Sequence, residues 1–135
     1  MYTNPNPEWY PLDAGQWVYD RRDTDGVHRD TQDIGRSIVL ERVDEDVHEL
    51  EFDGEPLSAY PANVEYADYD VSTRVVRVIW ESDLDRYVPG WRNHVADIGS
   101  LRDHIDVLIN SYSVPVFEYT YDYPESRLIP VEQYP

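Results

Sequence analysis

Cysteine and lysine are both missing from this 135-residue chain. Without cysteine there is no disulfide, no thiol nucleophile and no thiolate-held zinc, so any chemistry must come from His, Asp, Glu, Ser or Tyr. Glycine is sparse as well. Its six residues stand singly, and the sequence holds no glycine-rich phosphate loop, no GxGxxG and no GxSxG. No stretch approaches the roughly 18 apolar residues of a membrane span, and no leader or lipidation signal is visible. These gaps predict a soluble protein with no membrane partner.

What is abundant is acid. Twenty-eight Asp and Glu stand against 11 basic residues, all of them arginine, for a formal net charge of −17. Such an excess strains a compact state through self-repulsion in dilute salt. At molar salt the Debye length falls to about 3 Å and the repulsion nearly vanishes. The composition resembles that of proteins from extremely halophilic archaea and their viruses. The same charge argues against nucleic acid as a partner, because phosphate affinity comes from Lys and Arg.

With 41% apolar and 13% aromatic residues the chain can build a core, and its length predicts one domain. Residues 1–20 read as an arm: Pro5, Pro7 and Pro11 block regular structure among Trp9, Tyr10, Trp17 and Tyr19. The domain proper is expected over 21–123, and 124–135 as an extended tail or edge strand carrying Pro124 and Pro130.

Within the domain, RSIVLERV at 36–43 and DVHELEF at 46–52 read as an antiparallel hairpin, and Asp53-Gly54 as a turn. NVEYADYD reads as strand-like, with Val64 and Tyr66 on one face. TRVVRVIWE at 73–81 is apolar on both faces, as a central strand would be, with Arg77 the misfit that needs a carboxylate or an interface. Leu101, Ile105, Leu108, Ile109 and Tyr112 form a helical stripe, extended upstream by Trp91, Val95 and Ile98, which predicts a main helix over about 91–112 with Ser100 as an N-cap. In FEYTYDYP, Phe117, Tyr119, Tyr121 and Tyr123 alternate with polar residues, a strand with one aromatic face. That face is expected on the helix stripe or on a neighbouring subunit. The fold class is therefore α+β: a mostly antiparallel sheet of about four to six strands with one main helix on one face.

Chemical motifs are weak. Asp23, Asp25 and Gly26 match the middle of a calcium loop, but Arg21 and Gln32 occupy the positions of its first and last carboxylates. His94 and His104, placed on one helix, diverge too far to share a metal, and His94 is expected to bond Asp97. The reading is thus of no catalytic residues, no metal site and no cofactor. The residues in excess are those of interfaces, and Trp9, Tyr10, Trp17, Arg77, Phe117, Tyr119, Tyr121 and Tyr123 are the candidates.

In length, in the order TRVVRVIWE, SLRDHIDVLINSY, VFEYTYDY, and in its extended ends, the chain resembles the tail-terminator and neck proteins of tailed viruses, here one infecting a haloarchaeon. The resemblance implies a non-catalytic subunit that forms a homo-oligomeric ring and contacts other tail or neck proteins in the virion. Two other readings stay open: a small halophilic cellular protein, either a ligand-binding module or an enzyme with dispersed carboxylates, and a DNA-associated regulator using Arg21, Arg22 and Arg29.

Overall fold

The computed structural model describes residues 10–24, 34–66, 72–112 and 120–133. The elements in chain order are β1 (Trp17–Asp20), α1 (Arg21–Thr24), β2 (Ser37–Val43), β3 (Glu51–Phe52), β4 (Glu55–Pro56), α2 (Pro61–Tyr66), β5 (Val75–Trp80), α3 (Glu81–Tyr87), α4 (Ile98–Tyr112), β6 (Thr120–Pro124) and β7 (Leu128–Pro130). Five strands form one antiparallel sheet in the order β6-β5-β2-β1-β7, and β3 and β4 form a separate hairpin. The α+β class is as the sequence predicts.

β5 lies inside the sheet, as its two-sided apolar pattern requires. Ile79 faces one way, with Ile38 and Leu40 of β2; Val76 and Val78 face the other, with Val39. The register slips by one residue between Val39 and Glu41, a bulge at Leu40 that brings Glu41 opposite Arg77. The Leu40 carbonyl accepts a hydrogen bond from Arg102 Nη1 at 3.2 Å.

The first face carries the helices. Leu101, Ile105 and Leu108 of α4 pack with Leu84 of α3, Val88 and Trp91 on Ile38, Leu40 and Ile79. Each such side chain contributes about 1.5–3 kcal/mol on burial. The main helix starts at Ile98, not near 91. Gly90 at φ +79° breaks the chain there, Trp91–Asn93 makes one 3-10 turn, and Asp97 is the cap in place of Ser100. Its carboxylate accepts the Gly99 N–H at 3.0 Å and the Ser100 N–H at 3.5 Å. Gly99 thus sits in the first turn and not mid-helix.

Three further expectations are corrected. Residues 46–49 are a turn, not a strand, because the Asp46 carboxylate accepts the His48 and Glu49 N–H groups at 2.8 and 3.1 Å. Only Glu51 and Phe52 continue as β3, through the Asp53-Gly54 turn. Both turn residues have positive φ, +56° and +86°, as a type I′ hairpin needs. Residues 61–66 are helix α2, opened by Pro61 in the first-turn position where its missing N–H costs nothing. The strand expected over 73–81 ends at Trp80, and α3 follows it directly with Glu81 and Asp83 in its first turn and Arg86 in its last.

The second face is closed by the chain itself. β6 and β7 are the two edges of the sheet, yet only Glu125–Arg127 separate them. In a flat sheet those edges would lie about 19 Å apart, four strand spacings. Four Cα steps span at most about 14 Å. The sheet must therefore coil, and the crossing lies over Leu12, Val18, Val39, Val76, Val78 and Leu128. Both segments read as arms contribute strands: β1 lies between β2 and β7, and β7 is buried at the edge.

Candidate functional site: an aromatic groove along β6

The crossing fixes the floor of the site. Glu125 is fully buried, with one oxygen accepting the Leu12 N–H and the other the Ser72 hydroxyl, both at 2.7 Å. Arg127 grips both Asp20 oxygens, at 2.9 and 2.6 Å, and donates to Asn63 Oδ1 at 2.7 Å. Asn63 in turn donates to the Leu57 carbonyl at 2.8 Å. This chain of bonds ties the sheet to α2 and to the 3-10 turn Leu57–Ala59 beside the β3–β4 hairpin. Burial works against the Arg127 charge, but the Asp20 hydrogen bonds and charge outweigh it and hold its pKa above the ordinary value.

Above that floor two pairs of rings face a common groove. Phe52 and Tyr60 meet at 5.7 Å, with the Tyr60 hydroxyl donating to the Phe52 carbonyl at 3.3 Å. Tyr121 and Tyr123 stack at 6.3 Å and 16°. The groove between them holds about 250 Å³ and is lined on the hairpin side also by Leu50 and Leu57. On the sheet side it is lined by four consecutive residues, Thr120 to Tyr123, so it runs along the edge of β6 and not over one face. Phe52 is 63% exposed and Tyr121 41%, the largest exposed aromatic area among the described residues. The Tyr123 phenol is pushed up by burial, against the Arg127 charge that stacks over its ring at 4.6 Å. Partial burial, with the Asp53 and Glu55 charges, does the same for Tyr60.

Of the described residues proposed from sequence, Tyr121 and Tyr123 line this groove. They do not cover the helix stripe: pairing with Val78 and Val76 puts them on the sheet face opposite Ile79 and α4. Tyr10 packs on that same second face and donates to the Leu128 carbonyl at 3.1 Å. Trp17 lies on the helix face, edge-on to Trp91 at 5.8 Å with Arg36 3.9 Å above its ring. Arg77 has found its carboxylates. It binds both oxygens of Asp122, at 2.9 and 3.2 Å, and lies 3.5 Å from Glu41. Trp9, Phe117 and Tyr119 lie outside the described residues, as do residues 25–32 of the calcium-like stretch. Phe52 and Tyr60 were missed, although Phe52 directly precedes the Asp53-Gly54 turn, where a hairpin leaves its last side chains exposed.

The histidines also depart from expectation. His94 precedes α4, and the turn folds its ring onto His104 of the helix, with centroids 4.3 Å apart and planes within 18°. Its partner is Ser100 Oγ at 2.7 Å and not Asp97. His104 Nε2 carries a proton, since it meets the Pro89 carbonyl at 2.7 Å. Stacking does not make a metal pair: imidazole lone pairs lie in the ring planes, and two parallel planes do not converge on one ion. No set of three or more metal-ligating side chains forms among the described residues.

No described helix is long and apolar enough to cross a membrane. No protein-family model, curated protein or solved structure matches the chain.

Proposed function

We propose that the protein is a non-catalytic assembly subunit, a ring-forming tail-terminator or neck component of a haloarchaeal tailed virus. The observation that carries this reading is the groove along β6: exposed rings on a rigid floor, beside a sheet edge that pairs with no other strand among the described residues. Exposed edges and exposed aromatics are liabilities in a monomer and the usual material of an interface. The charge fits the same reading. Copies carrying −17 each repel in dilute salt, and their association needs the screening of a salt-loaded cytoplasm.

A ligand-binding module is the second reading, favoured by the enclosed part of the groove next to Arg127 and Asn63. Its volume of about 250 Å³ falls below the ~300–1,000 Å³ of ordinary small-molecule sites. The Arg127 fork is already engaged by Asp20 and Asn63. Both points favour side chains of a partner as the occupant.

Light scattering in about 3 M KCl, where charge is screened, tests the proposal. A closed oligomer of defined mass supports it, and a monomer across the accessible concentration range overturns it in favour of the binding module.

A further inference from the structure

Three times among the described residues an arginine is held in the same way, over an aromatic ring and paired with a carboxylate. Arg36 lies 3.9 Å above Trp17 and 2.6 Å from Glu81. Arg92 lies 4.3 Å above Trp91 and 3.0 Å from Asp85. Arg127 lies 4.6 Å above Tyr123 and 2.6 Å from Asp20. The ring face attracts the positive charge, the carboxylate fixes the guanidinium by charge-assisted hydrogen bonds, and a weakly hydrated planar cation gives up little water to sit there.

The β3–β4 hairpin offers the same ring and carboxylate without the arginine. Glu55 is paired directly with Phe52, so the two side chains stand on one face of the ribbon. Phe52 lines the groove, and Tyr60 meets it at 5.7 Å. Burial, and then the Asp53 and Glu55 charges, push the Tyr60 phenol up, so both carboxylates are felt at the groove. Among the described residues no guanidinium lies over Phe52, Tyr60 or Tyr121, and no ion pair engages Glu51, Asp53 or Glu55. The one arginine in the lining, Arg127, is engaged by Asp20 and Asn63. Rings beside uncompensated acid fit a cation as occupant. Lysine is absent from the sequence, so the permanent cation that a second copy can bring is arginine.

Two described arginines, Arg22 and Arg42, are exposed and hold no side-chain hydrogen bond, ion pair or ring contact among the described residues. Arg22 lies on α1, outside the sheet. Arg42 lies on β2 opposite Val76, and Val76 lies opposite Tyr123. Residues in one such row share a face, so Arg42 stands on the sheet face that carries Tyr121 and Tyr123. Within its own chain the ring of that row, Tyr123, is already covered by Arg127.

We infer that Arg42 of a second copy of this chain inserts into the groove, its guanidinium against Phe52, Tyr60 and Tyr121 and paired with Glu55. This rests on the assembly reading above and names the contact that makes it. An arginine among rings with a carboxylate at the rim has the composition of an interface hot spot. Its contact-range bonds persist in the salt that removes the long-range repulsion between copies.

The test compares full-length Arg42→Gln with the wild type by light scattering over a range of concentrations in about 3 M KCl. Because Arg42 is exposed, the unfolding midpoint should stay where it is, while half-association moves to a concentration roughly tenfold higher or more. Arg22→Gln makes the same change of charge at the other exposed arginine and should leave association unchanged. Glu55→Gln should weaken association as well. Arg42→Gln/Glu55→Gln should weaken it by less than the product of the two single effects, because both changes remove one contact. Effects that simply multiply, an equal effect of Arg22→Gln, or a loss of folding stability at unchanged mass, which would place Arg42 in the groove of its own chain, each overturn the inference. The wild-type mass separates the two failures. An oligomer indifferent to Arg42→Gln leaves the assembly reading standing and this contact wrong, whereas a wild-type monomer removes both.

Discussion

β6 borders two regions that the fold treats in opposite ways. Where it ends, the chain crosses the coiled sheet at Glu125–Arg127, and the carboxylates and Arg127 there are buried and matched to partners. Along its outer edge, a few residues away, Tyr121 and Phe52 are exposed beside a sheet edge that pairs with no other strand among the described residues. The crossing is finished within one copy of the chain; on the assembly reading proposed above, the groove is completed by another. Among the described residues the most exposed aromatic side chains, Phe52 and Tyr121, lie in the site read here as an interface, while the most buried ion pair, Arg127–Asp20, lies at the crossing. Damage to the crossing should therefore appear in stability, and damage to the groove in assembly.

The largest expected effect is at the crossing. Arg127→Met leaves Asp20 buried without its partner, a loss of about 3–5 kcal/mol by denaturant unfolding. Adding Asp20→Leu should return much of it, because the unpaired charge is what costs most. Glu125→Gln keeps an oxygen for only one of its two donors, and about 1–3 kcal/mol should be lost. An unchanged unfolding midpoint in both variants would mean that the crossing does not hold the coil closed.

At the groove the sign of the contrast reverses. Tyr121→Ala empties a half-exposed position on an edge strand and should change unfolding free energy by about 1 kcal/mol or less, the range of a cross-strand pair. That is below the few kcal/mol that a fully buried ring would cost. Its effect should be on mass, with the oligomer shifted toward monomer.

A smaller effect sharpens the comparison at Tyr123, which belongs to both regions. Its pKa in the folded chain is raised above 10.0, so the fold favours the neutral phenol. This contribution is fully present below pH 10 and lost as pH rises through the folded value. Alkaline titration of stability should show that loss in the wild type and a flatter limb in Tyr123→Phe. The smallest change is expected at Asp83, whose pKa is raised by partial burial against the opposing Arg86 charge. A raised carboxyl favours the protonated form, so its ionisation costs a little at neutral pH. Asp83→Asn should stabilise slightly at pH 7 and make no difference below about pH 3.8.

The sequence was legible where periodicity was strong and local. TRVVRVIWE could only be an interior strand, and Leu101, Ile105 and Leu108 could only be one face of a helix. Asp53-Gly54 marked its turn by chemistry alone. It was illegible where a side chain competes with the backbone, as Asp46 does in residues 46–49, and where a short helix has no full apolar stripe, as in α2 and α3. The coil of the sheet left no local trace, because it follows from two edges brought within reach of a three-residue link. The groove was half legible: the tyrosine alternation marked Tyr121 and Tyr123, but Phe52 and Tyr60 reach them only through the tertiary contacts of Asn63 and Arg127.

The most direct measurement is the light-scattering mass of the wild type and of a Phe52→Ala/Tyr121→Ala variant, side by side in about 3 M KCl, where charge repulsion is screened. The account predicts a defined oligomer for the wild type and a folded monomer for the variant with a similar unfolding midpoint. A variant that keeps the wild-type mass, or a wild type that is itself monomeric, would contradict the assignment of the β6 groove as the assembly surface.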